Sequence, residues 1–300
     1  MPFFSIVVPA YKNEEYLPGC LESIRSQSFA DWEAVVVIDG SPDGCADVAK
    51  DFSQRDCRFL VVNKKENEGV HLARLSGVRK SSGRYIYLLD ADDELPAEAL
   101  QQLYDALEGT DADMLHFGIN VVGVDVNEDE RSAFEAYINK KVGVLEGREI
   151  CAAAFSREKG YLQDWRVTQR VYSANLLKSA YDAMVKERLG RAQDGYEYFV
   201  ISTLAKKQVT VSDLVALDYY YGRGVNGDAM LDSYKFIRSA LDFQAAIEAI
   251  CGYQASLGEE FTGEAKGASD KLIQLLMNDW YERLSDEDKI AVVPELANII

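Results

Sequence analysis

Asp90 and Asp92 stand one residue apart, immediately after the apolar run at residues 85–89. Two carboxylates at one strand end repel each other by roughly 4 kcal/mol at about 4 Å in an effective dielectric of about 20. A proton or a divalent cation removes that repulsion. A cation held there can also bridge to a diphosphate, neutralise a leaving group and hold a substrate in line. The same spacing recurs at Asp111/Asp113 and Asp286/Asp288, but the former precedes a candidate strand and the latter lies in a helical tail. Position, not composition, therefore singles out Asp90 and Asp92. The bland alternative is that Asp92 and Asp93 cap the helix following Pro96 and stay solvated. Only two histidines occur, His71 and His116, and none of the five cysteines (Cys20, Cys45, Cys57, Cys151, Cys251) is spaced C-x-x-C. Metal chemistry must then lean on carboxylates, which favours Mn²⁺ or Mg²⁺ over zinc.

The elements that must position this pair are legible upstream. Residues 4–8, 34–38, 59–62 and 85–89 are apolar runs of the length of buried strands. Between them, Tyr16, Leu17, Cys20, Leu21 and Ile24, then Val48, Ala49 and Phe52, then residues 70–80, recur at helical spacing. Leu100, Leu103, Tyr104 and Leu107 continue the alternation. Repeated β-α-β units predict an α/β, doubly wound, mostly parallel sheet, whose ligand site lies at the carboxyl ends of its strands. Pro9-Ala10-Tyr11, Asp39 and Asp90-Ala91-Asp92-Asp93 should therefore converge. Tyr11 is suited to stack on a base or to pack at a strand end; Asp39 is suited to accept from a base or ribose, or to form the turn before Gly40.

The second half is less regular. A strand is expected over 114–122, a helix over 146–155, a helix near 195–206, and short strands over 209–211 and 216–221. Helices are expected from about 229, broken by glycines near 258–267. The organisation read from this is residues 1–110, 111–228 and a helical extension 229–300.

At 300 residues, with 48% hydrophobic and 27% charged residues, the chain is globular and long for one domain. Its net charge of −18 argues against nucleic-acid binding. Acid is concentrated over 90–135, where Arg131 is the only basic residue. No apolar run is long enough to span a membrane, and the N-terminus lacks a basic n-region and cleavage site, so no signal peptide is expected. The cysteine pattern suits a reduced, cytoplasmic setting, with peripheral attachment at the inner membrane face as an option. G-x-x-x-x-G-K-[ST] is absent, and G-x-G-x-x-G occurs only at residues 222–227, late in the chain and outside the β-α-β units, so neither a P-loop NTPase nor a dinucleotide oxidoreductase is indicated.

Ser5-Ile-Val-Val-Pro-Ala-Tyr11, Cys20-Leu-Glu-Ser-Ile24, Val35-Val-Val-Ile-Asp-Gly-Ser-Pro-Asp43, Asn67-Glu-Gly-Val70, Ala73-Arg74, Gly83-Arg-Tyr-Ile86 and Leu88-Leu-Asp-Ala-Asp-Asp93 occur in that order. Together they resemble the family 2 inverting glycosyltransferases of GT-A fold. The resemblance is dense over residues 4–108 and visible to about 223. It implies a donor-binding set of Pro9, Ala10, Tyr11, Asp39, Arg74, Asp90 and Ala91. Tyr11 would stack near the base, Asp39 read the uracil edge, and Arg74 lie near base and diphosphate. Asp90 and Asp92 match the family's DXD, with Asp92 the direct ligand of Mn²⁺ or Mg²⁺ and Asp90 nearer the ribose or the metal's outer ligands. The family's Glu-Asp pair before a helix corresponds to Gln193-Asp194, which implies Asp194 as general base; an N-cap is its structural alternative.

The implied partners are a nucleoside diphosphate sugar, UDP-linked by preference, and a carbohydrate or lipid-linked carbohydrate acceptor, used in bacterial-type surface polysaccharide or glycan synthesis. Trp165, Tyr219, Tyr220, Tyr221 and Arg223 are candidate acceptor contacts, or core residues of a strand. The chain departs from the family's usual pattern at Ile38 (usually Asp), Lys12 (usually Asn) and Gln193 (usually Glu). Two alternatives stand beside this: a nucleotide-sugar-binding protein without turnover, and a phosphohydrolase of haloacid-dehalogenase type using Asp90 as nucleophile. The C-terminal helices are expected to pack on the first domain, with a homodimer interface as the other option.

Overall fold

The computed structural model describes residues 1–223 and 230–299. Its first half alternates β1 (Phe4–Ala10), α1 (Leu17–Arg25), β2 (Trp32–Asp39), α2 (Cys45–Arg55), β3 (Phe59–Lys64), α3 (Val70–Lys80), β4 (Tyr85–Leu88) and α4 (Ala99–Leu107). There follow β5 (Met114–Gly123), α5 (Glu128–Ile138), β6 (Val144–Glu146), α6 (Arg148–Phe155), β7 (Arg170–Ser173), α7 (Ala174–Ala183), α8 (Gln193–Leu204) and β8 (Lys207–Tyr221). Three helices close the chain: α9 (Ser233–Ser256), α10 (Thr262–Arg283) and α11 (Asp286–Ile299).

One eight-stranded sheet runs β3-β2-β1-β4-β7-β5-β8-β6. The β3-β2-β1-β4 part is parallel, as the β-α-β pattern requires. β7 enters antiparallel to both β4 and β5, β8 lies parallel to β5, and β6 closes the edge antiparallel. All seven residues of β1 are buried, because helices cover both faces. Ala10 stands opposite Ile38, so Tyr11 and Asp39 follow side by side at neighbouring strand ends. Pro9 is tolerated in this central strand for a local reason. Odd positions of β1 face β4, where Leu89 donates to the Val7 carbonyl, but β4 ends at Leu88 and offers position 9 no partner.

The second half corrects the expected elements in several places. The two short strands expected over 209–211 and 216–221 are one strand, β8; the polar Ser212-Asp213 pair sits in a register shift against β5, not in a break. The helix expected from 146 starts at Arg148, after the edge strand β6. The glycine-rich break near 258–267 ends by Thr262, and Gly263 and Gly267 lie inside α10. Gly267 is there for close approach: a Cβ would come within 1.8 Å of the Phe155 carbonyl on α6. Helices α5 and α7 and strand β7 are additional elements. The boundary expected at 228/229 lies outside the described residues.

Among the described residues, two large cores flank the sheet, with a small third cluster at Val35, Val37 and Ala73. One packs α1, α2 and α4 on one face. The other joins Ile86 and Leu88 of β4, Tyr196 and Phe199 of α8, Phe236, Phe243 and Ile250 of α9, and Leu272 and Leu276 of α10. The C-terminal helices thus complete the core beneath α8.

Candidate active site

The Asp90–Asp93 segment leaves β4 as a turn, with Asp93 N–H donating to the Asp90 carbonyl at 3.1 Å. Neither Asp92 nor Asp93 caps α4, whose N-cap is Glu98 without a side-chain cap bond. Asp93 is instead buried and accepts from the Tyr220 backbone N–H at 3.0 Å. Glu94 and Asp218 exchange backbone hydrogen bonds of 3.2 and 2.9 Å, which stitches the segment to β8. Asp90 and Asp92 remain as the pair at the strand end. Burial, and then the neighbouring Asp90 charge, push the Asp92 carboxyl up to about 6. Arg223 opposes this; its guanidinium donates to the Asp92 carbonyl at 3.3 Å and lies over the rings of Tyr220 and Tyr16, 3.6 and 4.7 Å from their centroids.

Among the described residues, no group of three or more His, Cys, Asp or Glu side chains forms a closed metal cage. The two-carboxylate arrangement does fit a hard divalent cation that takes its remaining ligands from substrate phosphates and water. The half-buried Asp92 carboxylate, which no side-chain donor reaches among the described residues, is the observation that favours such a cation.

Arg74, only 1% exposed, joins this pair to the second half of the chain. Its Nη2 donates to Asp90 Oδ1 at 2.8 Å, and its Nη1 donates to Asp194 Oδ1 at 2.5 Å and to Glu197 Oε2 at 2.9 Å. Asp194 is not an N-cap. It lies in the first turn of α8, whose cap is Ala192 in the left-handed region at φ 72°, and its side chain turns to Arg74. Burial raises the Asp194 carboxyl, Arg74 opposes, and the Glu197 and Asp90 charges add to the rise. Its side chain keeps 28% exposure, so it is not sealed from solvent. The Arg74 guanidinium is thus occupied by three carboxylates, and the phosphohydrolase alternative would need Asp90 released from it.

At the other strand ends, Tyr11 is 40% exposed, with the Lys12 ammonium 5.4 Å from its ring centroid. Lys12 occupies the left-handed region at φ 55°, and its N–H donates to Ser41 Oγ at 2.8 Å. Asp39 is 2% exposed. It accepts from the Glu68 and Gly69 backbone N–H groups at 3.1 and 2.8 Å, with Lys64 Nζ at 3.2 Å, and so fixes the loop that opens α3. Any contact to a base must use the remaining lone pairs of its carboxylate.

The aromatic candidates divide. Trp165 is partly buried, stacked on Phe155 with centroids 5.7 Å apart and with Lys271 Nζ at 4.1 Å. Tyr221 stacks on Phe134 at 4.7 Å, and the Arg166 guanidinium lies 5.1 Å from the Tyr219 ring and 5.3 Å from Phe134. Residue types alone do not single out His71 and Glu197. Glu197 accepts from Arg74, and its other oxygen lies 2.8 Å from His71 Nδ1, both residues being fully buried. The available signal was the i,i+3 spacing of His71/Arg74 on α3 and of Asp194/Glu197 on α8.

Residues 5–165 match the model of glycosyl transferase family 2. Glycosyltransferase GlyA of Streptococcus pneumoniae is 37% identical over 110 residues, 37% of this chain and 16% of GlyA. The putative teichuronic acid biosynthesis glycosyltransferase TuaG of Bacillus subtilis is 33% identical over 101 residues, 34% of this chain and 40% of TuaG. The chain therefore spans well under half the length of these curated relatives. The fold matches S. aureus TarS 1-349 in complex with UDP-GlcNAc at a TM-score of 0.63 and 18% identity, over 99% of this chain and 81% of that one. A mixed sheet of GT-A type and a family match over more than half its length place the chain in glycosyl transferase family 2.

Proposed function

We propose that the chain is an inverting glycosyltransferase. It would move a sugar from a nucleoside diphosphate sugar, UDP-linked by preference, to an acceptor hydroxyl, in bacterial-type surface polysaccharide or glycan synthesis. The observation that carries this is the Arg74 bridge: one buried guanidinium holds Asp90 of the DXD and Asp194 of α8, so the donor carboxylates and the candidate base border one space. The TarS complex with UDP-GlcNAc supports the choice of uridine, and TuaG supports the polysaccharide setting.

In this mechanism Tyr11 and the Pro9–Ala10 backbone border the base, and Asp39 fixes the neighbouring loop. Asp92, with Asp90, would hold Mn²⁺ or Mg²⁺. When bound, the cation supplies charge neutralisation at the departing diphosphate. Asp194 takes the proton of the acceptor hydroxyl while that oxygen bonds to the anomeric carbon. The bond from that carbon to the diphosphate oxygen breaks on the opposite face, its electron pair leaves with the diphosphate, and configuration inverts. A carboxyl raised by burial suits this role, because a base with a pKa nearer the working pH accepts a proton more readily. Arg74 serves as a positioning group between the two sides. Residues 1–110 are the donor half and 111–228 the acceptor half in this scheme. The five unpaired thiols fit a reducing compartment.

A thermal-shift panel of UDP-, GDP-, dTDP- and CMP-sugars, with and without Mn²⁺, tests the donor side. The expected result is a metal-dependent rise with the UDP-sugar alone. Asp194→Asn tests the base. Transfer should fall at least about a hundredfold with the donor shift kept. Unchanged transfer would remove Asp194 from the role, and donor binding without transfer by the wild type would favour a binding protein without turnover.

A further inference from the structure

We propose that His71 and Glu197 are positioning residues for the transfer step, acting through Arg74 to hold Asp194 and Asp90 in place. This rests on the glycosyltransferase reading above. His71 and Arg74 are one turn apart on α3, and Asp194 and Glu197 are one turn apart on α8. The two helices therefore present a two-by-two array of alternating charge and hydrogen-bonding groups.

The orientation of the Arg74 guanidinium depends on this array. Among the described residues its Nε has no hydrogen-bond partner, so the carboxylates on Nη1 and Nη2 set its plane. Glu197 and Asp194 share Nη1, while Asp90 takes Nη2. Without Glu197 the guanidinium loses one of its three holds.

Proton accounting then assigns His71 its part. Its Nε2 lies 3.0 Å from the Val185 carbonyl, which can only accept, so Nε2 carries a hydrogen. Its Nδ1 lies 2.8 Å from Glu197 Oε1, and that contact also needs a hydrogen between the two atoms. The His71–Glu197 pair is therefore neutral as a whole, whether written as imidazolium and carboxylate or as imidazole and carboxylic acid. This leaves the charge of Arg74 for Asp90 and Asp194. The imidazole is itself fixed, with the rings of Tyr181 and Tyr196 each 6.0 Å away, and Val185 N–H donates to the Tyr196 hydroxyl at 2.9 Å. Removing His71 would leave a buried Glu197 charge competing with Asp194 for Nη1.

The test follows UDP release from UDP-GlcNAc with Mn²⁺, with water in place of the acceptor hydroxyl taking the sugar and giving its proton to Asp194, extended to the other nucleotide sugars of the panel, in the whole 300-residue chain. Variants are His71→Leu, His71→Asn, Glu197→Gln and, as reference, Asp194→Asn. The amide of His71→Asn can still donate toward Glu197 from the place of Nδ1. We expect kcat to fall about tenfold or more in His71→Leu and Glu197→Gln, with KM for the donor within about threefold, since misplacement by an ångström costs rates of this size. His71→Asn should recover to within about threefold of wild type on the same grounds. Thermal melts identify variants that have lost the fold; Glu197→Gln, which keeps the shape but removes the negative charge from Arg74 Nη1, and His71→Asn, which keeps the Nδ1 donor but not the Nε2 bond to Val185, then decide. If Asp194→Asn abolishes release while His71→Leu and Glu197→Gln keep the wild-type kcat, the positioning inference is overturned and the transferase reading stands. A matched loss of kcat and donor affinity, with no recovery in His71→Asn, would reduce both residues to scaffolding. If wild type releases nucleotide from none of the sugars, the transferase reading fails and this inference with it; if Asp194→Asn is unaffected, Asp194 is not the base and the inference falls while the transferase reading stands.

Discussion

At Asp92 the proposed function and stability oppose each other at a single side chain. No side-chain donor reaches its carboxylate among the described residues, while burial and Asp90 raise its carboxyl to about 6. Between pH of about 4 and 6 the folded chain keeps a proton that the unfolded chain has lost. Stability therefore falls as pH rises through that window. Above it the charged form carries the full penalty, at most about 3 kcal/mol. Asp92→Asn removes the penalty. Without metal at pH 7.5 the variant should melt a few degrees above wild type, with the gain shrinking toward pH 5. It should also lose the Mn²⁺-dependent shift with the nucleotide sugar. A variant that keeps this shift would take the cation away from Asp92.

Helix α3 carries both His71 and Arg74, and its seat on the sheet decides where they point. Gly77 makes that seat possible, because a Cβ there would come within 2.3 Å of Val7 Cγ1 on β1. Gly77→Ala should lift the helix, cost about 1–3 kcal/mol and lower transfer along with the melting temperature. Gly252→Ala on α9, where a Cβ meets nothing within 4 Å, should instead hold or raise the melting temperature. The contrast separates a glycine required for packing from one that is not. The bounds of α3 are those expected from sequence, because the apolar spacing ends at recognisable signals, Gly69 before it and Ser81 after. Strands β1, β2 and β4 were equally legible, since strands buried on both faces leave continuous apolar runs. The second half was harder for physical reasons. β7 has four residues, too few for a period, and β8 hides a register shift in its polar Ser212-Asp213 pair. At the site, Asp90 and Asp92 were readable as a strand end. The Arg74–Asp194 contact joins residues 120 positions apart, and no local pattern announces it.

Across the whole molecule, the C-terminal helices stand behind the loop that delivers Asp194. Arg191, three residues before it, is paired with Asp279 of α10, which also accepts from Arg283 at 3.1 Å. Arg191 further donates to Ser239 of α9 at 3.1 Å and lies over the Phe243 ring. The side chains of Asp279, Arg283 and Arg191 are only 11%, 13% and 28% exposed, so water screens this cluster little. Helices α9 and α10 thus brace the loop before Asp194 as well as closing the core. Asp279→Asn leaves two guanidinium groups without their shared anion and should cost about 2–4 kcal/mol. The expected signature is asymmetric. The melting temperature and transfer both fall, while the donor-induced shift persists, because Tyr11, Asp39 and Asp92 stand at the ends of β1, β2 and β4, whereas α9 and α10 pack chiefly on α8, α6 and each other. If donor binding declined in step with transfer, the helices would be supporting the sheet as a whole, and the specific link from α10 through Arg191 to Asp194 would have to be given up.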